Sequence, residues 1–133
     1  MKQTLLLCVF SIILFSCKKE HTSLLKAQIS GEWRYLKTVT FEMTFPLPGD
    51  SAKAIFIGSD GSFERRHNDS VLFKGTYSLI EQKDCYGDEN KFLFKTSDET
   101  AEDGNYITIS NDTLSLSTPN CYADGGITFY KKK

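Results

Sequence analysis

Residues 65–70 read Arg-Arg-His-Asn-Asp-Ser, so the side-chain types of a nucleophile, a base and an acid stand together at Ser70, His67 and Asp69. A hydrolytic triad needs such groups to converge on one point beside an oxyanion site. Neighbours on an extended chain point their side chains apart, and this cluster therefore reads as a solvated hairpin turn. A second group, Asp98, Glu99, Glu102 and Asp103 ahead of Gly104 and Asn105, offers oxygen ligands of the kind calcium takes. Its spacing departs from the regular Asp-x-Asp-x-Asp-Gly pattern, which favours a merely acidic loop. The sequence holds no Gly-x-Ser-x-Gly elbow, no metal-binding histidine pair and no phosphate loop. No enzyme activity, metal or cofactor is expected.

The chain opens MKQTLLLCVFSIILFSCKKE. Lys2 supplies a positive start, and the apolar run from Leu5 to Phe15 is far too short for a membrane span. The run ends at Leu14-Phe15-Ser16-Cys17, which resembles the lipobox of bacterial lipoproteins. That resemblance implies cleavage after Ser16 and a diacylglyceryl group on Cys17; the alternative is an ordinary secretory signal cut near the same place. Each buried methylene contributes about 0.8 kcal/mol, so two or three acyl chains anchor firmly where one holds only reversibly. Residues 1–16 are then a signal peptide, 17–28 a lipidated tether and 29–133 a single domain.

Losing the leader removes Lys2 and no acid, so a formal net charge of −1 moves to about −2. Such near-balance argues against a nucleic-acid partner, which would need a clustered basic footprint. A monomer is expected. Cys85 and Cys121 remain in an exported domain where oxidation is permitted. A bridge between them would close a loop of about 37 residues and contribute roughly 4 kcal/mol in the chain-entropy model. Two free thiols or half a metal site are the alternatives, and neither His21 nor His67 has ligand-like spacing to either cysteine.

The elements that must position these residues are almost all strands. Over residues 30–45, Trp33, Tyr35, Val39, Phe41, Met43 and Phe45 alternate with polar residues, the period of a half-buried strand. Lys37 interrupts that aromatic face, which assigns Val39 to Phe45 to a different layer from Trp33. Before it, Leu24, Leu25 and Ile29 fit a helical turn or two, ended by Gly31. Asp60-Gly61 predicts a two-residue hairpin turn, Asn111-Asp112 a second hairpin, and Gly75 a bulge or bend. About eight strands with turns every eight to twelve residues predict an all-β, antiparallel, up-and-down barrel. The long first strand favours closure, since it can pair on both sides.

At Gly31-x-Trp33 the sequence is similar to the GxW signature of lipocalins, where the tryptophan closes the base of an eight-stranded barrel under a basic residue from the last strands. Lys131 occupies the place of that basic residue. With Asp60-Gly61-Ser62-Phe63, Gly75-Thr76-Tyr77 and the closing Phe129-Tyr130-Lys131, the pattern resembles the small lipocalin-like lipoprotein domains of diderm bacteria. The resemblance implies a lipid-anchored protein of the cell envelope, at the outer membrane, on its periplasmic face or its surface. Two features of lipocalins, a Thr-Asp-Tyr motif and a C-terminal helix, are absent from the sequence.

The function this implies is binding of a small hydrophobic or amphipathic molecule. Candidates to line the cavity are Tyr35, Val39, Phe41 and Phe63, with Phe73, Tyr77, Phe92 and Phe94 from the later strands. The rival is a structural or protein-interaction barrel filled by the same side chains, because small barrels are commonly packed solid. Asp50-Ser51-Ala52, Asp69-Ser70-Val71 and Asp112-Thr113-Leu114 are also similar to an O-glycosylation sequon of exported proteins in one group of diderm bacteria. That makes Ser51, Ser70 and Thr113 candidate acceptors, although Asp and hydroxyl residues favour turns at strand starts in any case.

Overall fold

The structure, a computed structural model, describes residues 20–40, 44–45, 52–98, 104–119 and 125–133. Cys17, Phe41, Ser51, Glu99, Glu102, Asp103 and Cys121 lie outside the described residues.

Among the described residues, a helix over residues 20–29 leads into nine strands: β1 (Gly31–Thr40), β2 (Thr44–Phe45), β3 (Lys53–Ile57), β4 (Ser62–His67), β5 (Ser70–Lys83), β6 (Asn90–Thr96), β7 (Asn105–Ser110), β8 (Thr113–Ser117) and β9 (Gly126–Lys132). From β3 onward every strand pairs antiparallel with the next, and β9 pairs back onto β1. β1 also pairs with β3, so eight strands close an up-and-down barrel, as the turn rhythm predicts. Closure depends on β1 having partners along both edges. Gly31–Arg34 pair with β3 on one side, while residues from Trp33 to Thr40 pair with β9 on the other.

The stretch over 30–45 is not the single strand that its alternation predicts. Val39 pairs with Thr44 and Thr38 with Phe45, so the chain has reversed direction by β2. A period of two continues unbroken through both arms of a hairpin and cannot mark its turn.

Two other turns refine the sequence reading. The β3–β4 connection is a three-residue loop, because Gly58 N–H donates to Ser62 O at 2.8 Å and Ser59, Asp60 and Gly61 lie between them. Asp60 Oδ1 accepts from the Ser62 N–H and hydroxyl, and Gly61 takes φ +92°, the left-handed position this loop type assigns to glycine. The β4–β5 connection is a true two-residue turn with Asn68 and Asp69 at φ 48° and 64°.

One end of the barrel is closed. Ile29 and Trp33 are both 0% exposed, and the Trp33 indole N–H donates to Ile29 O at 2.6 Å. Leu25 packs on the same core, and Lys26 Nζ stands 5.8 Å from the Tyr77 ring centroid. The helix thus crosses the base from β1 toward β5, and the segment read as a tether is mostly this packed helix. Above it Ile55, Ile57, Phe63, Tyr77, Phe94, Ile107 and Leu114 form one continuous core. The cation over Trp33 is Lys132, at 5.2 Å, rather than Lys131. Trp33 pairs with Lys132, whereas Lys131 falls beside Arg34 and meets Asp112 at 3.3 Å.

Candidate functional site

Toward the end of the barrel opposite the helix, the described residues enclose a cavity. Ile55, Phe63, Phe94, Leu116 and Tyr130 form the floor of a cavity of about 260 Å³. Its walls and rim are Thr38, Arg65, Thr96, Asn105, Thr118, Gly126 and Thr128.

Register decides which residues reach it. Tyr35 pairs with Tyr130 and Lys37 with Phe129, so Leu36 is an extra residue, a β-bulge. A bulge of one residue exchanges the two faces of everything after it. Trp33 and Tyr35 therefore point inward, and beyond the bulge Thr38 does. Thr38 pairs with Thr128, and both line the cavity, with 3.2 Å between their hydroxyl oxygens. Val39 pairs with the exposed Ile127 on the outer face, which corrects its assignment to the binding face.

A second bulge acts on β5. Arg65 pairs with Phe73 but Arg66 with Val71, so Leu72 is extra and Val71 turns outward, half exposed. Phe73 stays inward and folds over Gly75. A Cβ on Gly75 would meet Phe73 Cζ at 2.6 Å and would overlap Ser97 Oγ. The glycine leaves the notch that the ring fills.

Of the eight sequence candidates, Phe63 and Phe94 line the cavity. Phe73, Tyr77 and Phe92 instead belong to the packed interior, where Tyr77 stacks on Phe94 with 5.0 Å between centroids. Tyr35 lies edge-on to Tyr130 at 6.1 Å and donates to Thr38 Oγ1 at 3.0 Å. Phe41 is outside the described residues. The alternation of aromatics thus located the interior but not the open space within it.

The residues that sequence reasoning passed over are polar. Arg65 shares the period-two face of Phe63, a legible signal, and its guanidinium lies 5.7 Å from that ring. Arg65 Nη1 meets Asp98 Oδ2 at 2.6 Å, with the side chains 44% and 11% exposed respectively. Asp98 is held from the other side by the Thr96 hydroxyl, which donates to Oδ1 at 2.7 Å. Asp98 is therefore the anchor and Arg65 the more accessible partner. Tyr130, across the floor, has its hydroxyl pKa pushed up to about 12 by burial, with the nearby Arg65 charge acting in the opposite sense.

The outer wall carries a separate ionic network. Glu64 accepts from Arg66 Nε at 2.9 Å and meets Lys74 Nζ at 3.4 Å. Glu32 meets Lys133 Nζ at 3.0 Å and Arg66 at 3.7 Å. Arg66 also lies 5.3 Å from the Phe56 ring. The hydrogen bond from Arg66 holds the Glu64 carboxyl below its ordinary pKa.

Leu93 and Tyr106 also face outward, paired with each other, yet are only 4% and 2% exposed. Cys85 is disulfide-bonded and its Sγ lies 3.9 Å from the Tyr106 hydroxyl. The partner cysteine lies outside the described residues. Beside it, Lys91 and Asp84 form an ion pair that lowers the Asp84 pKa and raises that of Lys91.

Ser70 is exposed at the Asn68–Asp69 turn, and Thr113 follows the Asn111–Asp112 turn. His67 and Ser70 are the residues that close the first of these turns. Among the described residues there is no cluster of three or more metal-ligand side chains, and no helix is long and apolar enough to cross a membrane. The fold and site define an eight-stranded barrel with a packed base and, among the described residues, a small cavity toward its other end. No family profile, curated protein or solved structure matches the chain.

Proposed function

We propose that this is a lipocalin-like envelope lipoprotein that binds a small amphipathic molecule in the mouth of its barrel. It is anchored through acyl chains on Cys17, at the outer membrane of a diderm bacterium, and performs no catalysis. The observation that carries the reading is the division of the interior. The lower half is filled by Trp33, Ile57, Tyr77 and Leu114, while the upper half keeps a cavity of about 260 Å³. Its apolar floor suits a short hydrocarbon, and Arg65 with the threonines suits a polar end. The size falls just under the range of roughly 300–1,000 Å³ typical of ligand pockets, so the guest is small or enters by one end only. In this reading Cys85 is bridged to Cys121, and of the two described glycosylation candidates Ser70 is more exposed than Thr113.

Titration with octanoate and with 1-octanol, followed by methyl NMR, tests the binding. Saturable shifts at Ile55 and Leu116, abolished by Thr118→Trp, are expected. Absence of any saturable shift, with no adduct in native mass spectra of protein from its host, would overturn it. The packed lower half favours a second reading, a structural or protein-interaction barrel without a ligand, and that result would support it.

A further inference from the structure

We propose that the barrel stands base-down on the membrane, with the outer face of the helix over residues 20–29 against the lipid surface and the mouth opening into water away from it. This rests on acylation of Cys17, proposed above, and adds what that anchor does to the orientation.

The chain between anchor and fold is very short. Cys17 and Glu20 are three peptide steps apart, a reach of at most about 11 Å. From Glu20 onward the chain is helix, and its far end is locked in place. Ile29 is fully buried, its carbonyl accepts the Trp33 indole N–H, and Leu25 packs against the core. The helix cannot swing away as a tether without exposing the base of the barrel.

The mouth is out of that reach. From Gly31 to Thr38 the strand climbs about 3.3 Å per residue at a tilt near 40°, with one residue spent in the Leu36 bulge, which lifts the rim roughly 15 Å above the base. The helix adds about 10 Å of thickness beneath. An anchor with a span of about 11 Å cannot bring such a rim to the bilayer while the helix stays packed.

The face left toward the lipid is consistent with this. Leu24 is 58% exposed on the outer side of the helix, where a lipid interface would cover it. The charges at this end are largely balanced, since Lys131 meets Asp112 and Lys133 meets Glu32. The geometry points to a surface held by its tether and by Leu24 rather than by attraction to anionic lipid. A ligand would then reach the mouth from the aqueous side.

The test is lysine acetylation by a water-soluble reagent, read by mass spectrometry, on the lipidated full chain in phosphatidylcholine vesicles. The comparison is the same protein with a twenty-residue Gly/Ser spacer inserted between Lys19 and Glu20. Such a spacer has an average span of roughly 25 Å and frees the base from the surface. Lys26 and Lys132 are expected to react at least threefold more slowly without the spacer than with it, while Lys53 and Lys74 react equally in both. Replacing the vesicle lipid by an anionic one is expected to change the ratio little. Equal rates for Lys26 in the two proteins, or selective protection of Lys53, would overturn the orientation while leaving a correct acyl mass on Cys17 untouched. An intact mass without acyl chains would remove the anchor itself, and the orientation with it.

Discussion

The indole N–H of Trp33 is bonded to the carbonyl of Ile29 at 2.6 Å, so the first inward residue of the barrel wall holds the last turn of the helix that closes it. Both residues are fully buried, and the bond ties two elements that would otherwise meet through apolar contact alone. Trp33→Phe keeps most of the ring volume and removes the donor, leaving a buried carbonyl unsatisfied. It is expected to cost about 1–3 kcal/mol. Trp33→Ala adds a cavity and is expected to cost about 3–5 kcal/mol. Urea unfolding measures both, and faster amide exchange over residues 24–29 in Trp33→Phe would place the loss at this contact.

Arg65 lines the cavity and is positioned by Asp98. Arg65→Gln is expected to weaken octanoate binding about tenfold more than 1-octanol binding, since only the carboxylate uses the cation. Asp98→Asn leaves Arg65 charged but less well held, and is expected to lower stability by about 1 kcal/mol with a smaller effect on octanol. NMR titrations of the two variants measure this; equal losses for both probes would remove Arg65 from recognition.

Gly75→Ala places a methyl group where the Phe73 ring and Ser97 Oγ lie. A loss of about 1–3 kcal/mol is expected from the overpacking. Pairing the change with Phe73→Leu is expected to recover part of it, because the smaller side chain vacates the notch. A double-mutant cycle from chemical denaturation would show the coupling.

Tyr130 keeps its proton in the folded state until about pH 12, against 10.0 for an ordinary tyrosine. Its raised value favours the folded state fully below about pH 10, and that contribution, about 2–3 kcal/mol, is lost as pH rises from there toward 12. Burial of Tyr77 acts in the same direction. Ultraviolet titration of the folded protein should show a late-ionising fraction that falls by one tyrosine in Tyr130→Phe, with a flatter alkaline stability curve.

Cys85→Ser breaks the bridge and is expected to cost about 2–4 kcal/mol. If Cys121 is its partner, Cys121→Ser costs the same and the double variant costs no more than either single one. Additive losses would assign the bridge elsewhere.

Much of the barrel was legible because its signals are local. Turn pairs such as Asn68-Asp69 and Asn111-Asp112 mark chain reversals through their own backbone preferences. The alternation in Phe92, Leu93 and Phe94 separates inner from outer faces, because successive strand residues must point opposite ways. Even there the outward Leu93 is buried, under neighbours the local pattern cannot name.

The sequence by itself determined most of the strands, though not the reversal between Thr40 and Thr44, along with their antiparallel order, the helical lead-in and the role of Trp33 as a buried residue near the barrel's start. It also set the identity of the interior as aromatic and aliphatic. Only the tertiary structure decided which residues reach open space. The bulges at Leu36 and Leu72 turn Val39 and Val71 outward and bring Thr38 inward. Such shifts are settled by pairing between strands, as in Tyr35 with Tyr130 and Arg65 with Phe73, and no period within one strand records them. The cavity lining shows the result: Thr38, Thr128 and Arg65 share it with Phe63, Phe94 and Tyr130.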